Sequence, residues 1–262
     1  TYTYRTRNYM LSCVQDFRRG KPGFQQHVWQ ATLGGRAAVF TNHPGSLEYG
    51  DRPNYWAGNG VLPQAVGYRN VVICTYWVDP AMTKLWQTHA YFPKHEFDET
   101  VEDSGWIFGR KAGGYVALRS MNGGKWNVPD QGMYREVFRN EAYFDYSGIL
   151  PYDYSARGHA NVWICELGEE ESHGSFEDFV RSISVAHAEG DVRRFSYRSP
   201  SLGLMETGWG LGLKVEGEDI RISGYPRYGN PYCRADFDAS AFDISCGDRR
   251  LRLDFARLER AE

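Results

Sequence analysis

The chain has 262 residues, 42% of them hydrophobic, and 30 Lys and Arg against 33 acidic residues give a formal net charge of -3. That length can bury a sizeable core, but the charge lacks the basic excess that duplex binding requires. No apolar run approaches the ~20 residues of a membrane helix, so neither nucleic acid nor a membrane is expected as a partner.

Alternating patterns begin at the first residues and dominate the chain. Strands are expected over 2–6, 8–16, 24–33, 37–42, 70–78, 88–92, 105–110, 114–120, 134–139, 160–166, 193–198, 202–207, 211–215, 219–223, 241–246 and 249–255. Gly34-Gly35, Ala112-Gly113-Gly114, Gly217-Glu218 and Gly247-Asp248 read as hairpin turns between them. One helix interrupts the series over 175–188. Ser175 is placed to cap it with Asp178 three residues on, Phe176, Phe179, Val180 and Ile183 share one face, and Gly190 closes the segment. So many consecutive antiparallel strands predict an all-β fold, a large multi-stranded β-sandwich or super-sandwich with one short helix. No linker, repeat or low-complexity tract divides it, so 1–262 reads as a single domain. The chain opens at Thr1 on a strand-like run with no targeting segment, and the expectation is that it forms the carboxyl-terminal part of a longer protein.

Aromatic residues are unusually frequent: 8 Trp, 18 Tyr and 14 Phe beside 29 Gly. Flat rings with polar edges suit saccharide faces as well as a β-core. The five cysteines cannot all pair within the chain. Cys13, Cys74 and Cys165 lie in apolar runs and read as buried free thiols, which points to a reducing compartment, although localisation stays open. Cys233 and Cys246 lie in loop-like surroundings where pairing remains possible.

Two constellations stand out. If Gly34-Gly35 is a two-residue turn, Trp29 faces Phe40 and His27 faces Asn42, at the end of a face lined by Ala31 and Ala38. On the other face Gln26 approaches His43. A His–Asn pair at the mouth of an apolar face suits acid–base work, or simply satisfies two buried polar groups. The long patternless stretch 43–65 follows at once and holds Arg52, Asn54, Tyr55, Trp56 and Asn59. Arg52 is suited to a uronate carboxylate, Trp56 to stacking on a sugar ring, and Tyr55 to proton abstraction. His89 and His95, with Glu96, Asp98 and Glu99, match no zinc spacing, so no metal and no cofactor are expected. GxSxG, P-loop, HExxH and dinucleotide fingerprints do not occur.

The segments TYTYRT, HVWQATLG, FTNHPG and NYWAGNG, with the strand order and aromatic load, resemble the carboxyl-terminal β-sandwich region of heparinase II/III-like bacterial polysaccharide lyases. That resemblance implies a helical α/α-toroid domain preceding this chain and an acidic polysaccharide or oligosaccharide as ligand. It also implies β-elimination, with Asn or His neutralising the uronate carboxylate and Tyr or His moving protons. His27 or His43 would fill the histidine role of the sandwich. Asn42 and Tyr55 complete the expected catalytic set, with Gln26, Arg52, Asn54, Trp56 and Asn59 binding substrate. The chain alone would form one wall of the cleft. The alternative is a non-catalytic carbohydrate-binding or structural sandwich.

Overall fold

A computed structural model describes residues 1–24, 26–44, 56, 58–126 and 152–261. Arg52, Asn54 and Tyr55, and the strand expected over 134–139, lie outside the described residues. The chain is all-β, as its alternation demands, and falls into two compact units, Thr1–Ile220 and Arg221–Glu262. The sequence reading placed no boundary at Ile220. Among the described residues, strands beyond it pair with one another, over Tyr228–Gly229, Cys233–Ala235, Ala241–Cys246, Arg249–Asp254 and Glu259–Ala261.

The larger unit is layered. Its outer sheet has seven strands, in spatial order Tyr2–Arg5, Met10–Cys13, Trp29–Leu33, Ala37–Asn42, Gln87–Tyr91, Asp153–Arg157 and Lys125–Trp126. The central sheet has six: Glu99–Asp103, Trp106–Lys111, Gly114–Ser120, Ala160–Glu169, Val71–Trp77 and Gln64–Tyr68. Leu11, Trp29, Ala31, Leu33 and Val39 of the outer sheet share one core with Val72, Cys74, Tyr76, Val116, Leu118 and Trp163 of the central sheet. Burial alternates along the outer sheet, since its second face is only partly covered. The central strands are buried almost throughout, because both of their faces are packed.

The second face of the central sheet meets the helix Phe176–Ser184 and a five-stranded meander, Ala188–Gly190 through Glu218–Ile220. Phe108 packs edge-on against Phe179 at 6.1 Å, and Trp106 lies 5.9 Å from Tyr197. Ser175 and Asp178 form the expected capping box. The helix ends earlier than its pattern suggested, for Ala188–Gly190 pairs as a strand with Phe195–Tyr197. Fully buried Glu166 anchors the meander, accepting from Tyr197 Oη at 2.6 Å, Ser199 Oγ at 2.9 Å and Ser201 Oγ at 2.7 Å.

The first hairpin differs from its sequence reading in one consequential way. Gly34, Gly35 and Arg36 form a three-residue loop, so Leu33 pairs with Ala37 and Ala31 with Val39. Trp29 then donates its indole N–H to Thr41 Oγ1 at 2.8 Å instead of facing Phe40. A one-residue shift in pairing moves a whole strand's side chains across the sheet. Phe40 therefore leaves the core for the outer face.

Candidate functional site

That shift builds the site. Phe40 pairs with Tyr91 and Asn42 with His89, while Asp153 pairs with Tyr91 and Ser155 with His89. Residues at directly paired or alternate positions share a face, so the register sets Phe40, Tyr91 and Asp153 in one row and Asn42, His89 and Ser155 in the next. Trp56 lies over both rows. Its ring is 4.1 Å from His89, 5.6 Å from Tyr91 and 6.0 Å from Phe40, and its backbone carbonyl accepts from Asn42 Nδ2 at 3.0 Å.

Beneath this cover, His89 Nδ1 lies 3.0 Å from Asp153 Oδ1, with both side chains buried. An ionised carboxylate only accepts, so the arrangement places a proton on Nδ1. His27 is on the open side. Its ring meets Phe40 edge-on at 4.4 Å, and it remains exposed to solvent. Loss of surrounding water lowers its pKa from the ordinary histidine value, and repulsion from His89 lowers it further. His27 is thus neutral near pH 7 and able to accept a proton.

The remaining predicted residues divide sharply. His43 is fully buried, accepting from Val61 N–H at Nδ1 (3.2 Å) and donating from Nε2 to the Leu85 carbonyl (2.7 Å). Burial pushes its pKa down to about 4, partly opposed by the bond to Leu85. With both nitrogens held by backbone, His43 braces two loops and presents nothing to a ligand. Asn59 is also sealed: its Oδ1 accepts from His43 N–H at 2.8 Å, and its Nδ2 donates to the Gln26 carbonyl at 2.7 Å. The same amide reaches Asn42 Oδ1 at 3.4 Å. Gln26 contributes that carbonyl while its side chain stays exposed. Among the described residues no hydrogen bond joins His27 to Asn42, because the altered register separates them.

The sequence did not reveal the other half of the site. Tyr91 stacks on Phe40 at 5.1 Å, and Tyr152 meets Tyr91 edge-on at 5.7 Å. His95 stacks on Tyr152 at 4.4 Å, with its Nε2 2.9 Å from Tyr152 Oη and 3.2 Å from Glu96 Oε1. A continuous run of rings therefore crosses the outer sheet from His27 through Phe40, Tyr91 and Tyr152 to His95. The aromatic residues of AYFP around Tyr91 were a usable signal. Asp153 gave none, being 64 positions from its histidine. Among the described residues, no group of three or more His, Cys, Asp or Glu side chains converges to hold a metal ion. Compared with known protein families, characterised proteins and solved structures, the chain matches none.

Proposed function

We propose that Thr1–Ile220 forms one wall of a polysaccharide-lyase cleft that takes a uronic-acid glycan along the ring row of the outer sheet. The observation carrying this reading is that row itself, His27–Phe40–Tyr91–Tyr152–His95, with Trp56 and a buried His–Asp pair beside it. Sugar rings present C–H faces that pack on aromatic planes, while the histidine and tyrosine edges offer hydrogen bonds. In β-elimination a base removes the C5 proton, the electron pair forms the C4–C5 double bond, and the C4–O bond breaks as its oxygen takes a proton. His27, neutral near pH 7, is the base on this wall. His89 is the positioning residue: it sets the Trp56 ring and the potential that His27 feels. A helical domain outside this chain supplies the facing wall.

The second reading, a non-catalytic glycan-binding sandwich, draws on the sealing of His43, Asn42 and Asn59 by their own bonds. One experiment separates the two. In the full-length protein, His27→Ala should lower formation of unsaturated product, followed by ultraviolet absorbance on a panel of uronate polymers, by ~10²-fold. Its melting temperature should hold, since the ring is exposed. Trp56→Ala should weaken glycan binding by about 1 kcal/mol. Retained glycan binding with no elimination product from the wild type would give the second reading; normal turnover by the His27 variant would remove that residue from the mechanism.

A further inference from the structure

The carboxyl-terminal unit holds a concentration of arginines that the cleft does not use. Across three neighbouring strands, Arg234 pairs with Asp243 and Asp243 with Arg252, while Arg250 pairs with Ser245. Pairing and alternation put Arg234, Asp243, Ser245, Arg250 and Arg252 on one face. The opposite face carries Phe242, Ile244, Leu251 and Leu253. A groove of about 640 Å³ is lined by Arg234, Asp243, Ser245, Arg250 and Arg252 together with Ile244 and Leu251, and Asp243 is the one acidic residue among the described residues lining it. Arg252 Nη1 contacts both oxygens of Asp243, at 2.8 and 3.0 Å. Arg234 and Arg250 have no ion pair among the described residues. Three guanidinium groups around one carboxylate leave positive charge in excess.

We propose that this groove is a second glycan site, in which Arg234, Arg250 and Arg252 receive the sulfate or carboxylate groups of an acidic polysaccharide. Guanidinium forks fit such oxyanions in paired hydrogen bonds. Arg234 and Arg252 sit two strand spacings apart, about 10 Å, so the groove spans more than one anionic group. A nucleic acid would offer phosphates to the same guanidinium forks, so it is the competing outcome of the test. The site stands on the register of this sheet and does not depend on the cleft reading.

The test is calorimetric binding of heparin, a sulfated and uronate-bearing probe, to the full-length protein across a salt series. Neutral dextran and a single-stranded oligonucleotide of matched charge are run beside it. Wild-type binding should weaken with salt, and the Arg234→Gln/Arg250→Gln protein should bind about 10-fold more weakly with a salt slope lower by about two. Arg257→Gln, outside the groove, should bind as wild type. The groove variants should leave product formation from short oligosaccharides unchanged, and His27→Ala should leave the salt-dependent heparin component of the groove in place. Failure of the cleft reading therefore shows in absorbance and in unchanged binding by Trp56→Ala, and failure of this one in the arginine-dependent, salt-dependent component of binding. Absent heparin binding, unchanged binding by the double variant, or equally tight, equally arginine-dependent oligonucleotide binding would each overturn the proposal.

Discussion

The two units of this chain are written in the same strand-and-turn language and packed very differently. In Thr1–Ile220 the largest rings, Trp29, Trp106, Trp163, Tyr76, Phe92 and Phe108, are fully buried. In Arg221–Glu262, Ala235 is the one residue buried among those described, while Tyr232, Phe237, Phe255 and Leu258 face solvent. Hydrogen-bonded ladders form in both. A single twisted sheet has little apolar surface to hide against itself, so its stability rests on cross-strand pairs worth a few tenths to about 1 kcal/mol each. A layered sheet adds burial on one or both faces at roughly 25 cal/mol per Å². Regular secondary structure thus says little about how strongly a region is held.

The largest expected effect is in the core between the outer and central sheets. Trp163 is fully buried and donates its indole N–H to Thr88 Oγ1 at 2.8 Å. Trp163→Ala removes that ring from a fully buried site and should cost about 3–5 kcal/mol, read as a fall in the urea midpoint of the larger unit. A loss under about 1 kcal/mol would mean that the two sheets are not tightly packed there.

A smaller effect should appear with acid. His43 is held neutral by burial, which puts its pKa of about 4 below the ordinary value of 6.5 even though the bond to Leu85 opposes the shift. The native state therefore binds fewer protons than the unfolded chain. The stabilisation from His43 is complete above about pH 6.5 and is lost as pH falls toward 4, up to about 3 kcal/mol in all. His27 and His173 shift in the same direction, so the test is a difference. The gap in stability between wild type and His43→Gln should be widest at pH 7.5 and should close toward pH 4.5. A constant gap would show that the ring is not protonated on unfolding.

What the sequence disclosed follows the same division between local and long-range causes. The hairpin of Trp106–Lys111 with Gly114–Ser120 was legible from Ala112-Gly113-Gly114, and its tight turn uses the first two of these at positive φ while Gly114 begins the next strand. The helix was legible through Ser175, Asp178 and its apolar stripe, though not its end, which strand pairing at Ala188 decides. At Gly34-Gly35 two residues without side chains favour no single loop length, and the choice of three over two moved Phe40 out of the core. His27 and Trp56 could be picked out because the expected pairing sets the first at the end of a hairpin face and the second lies within the aromatic loop that follows. The His89–Asp153 pair, and Glu166 with Tyr197, Ser199 and Ser201, depend on contacts between distant strands that no local pattern encodes.

The smallest effect belongs to the carboxyl-terminal sheet, where the cysteines report on it directly. Cys13, Cys74 and Cys165 are buried free thiols, and burial raises the pKa of each, that of Cys74 to about 12. Cys233 is half-buried and Cys246 exposed, both free. Thiolates are the reactive species, so a thiol reagent at pH 7.5 should label Cys246 first and Cys233 more slowly, leaving the other three silent until the protein is denatured. Leu251 stands opposite Ile244, which in turn stands opposite Cys233. Leu251→Ala removes one half-exposed cross-strand contact, so it should cost no more than about 1 kcal/mol. The sheet has little else to hold it, so even that loss should speed amide exchange along Ala241–Asp254 and raise the labelling rate of Cys233. The labelling of Cys13, Cys74 and Cys165 should not change, nor should the urea midpoint of the larger unit. If all five thiols became reactive together in this variant, the two units would be unfolding as one, and the contrast between a well-packed body and a weakly held sheet would be wrong.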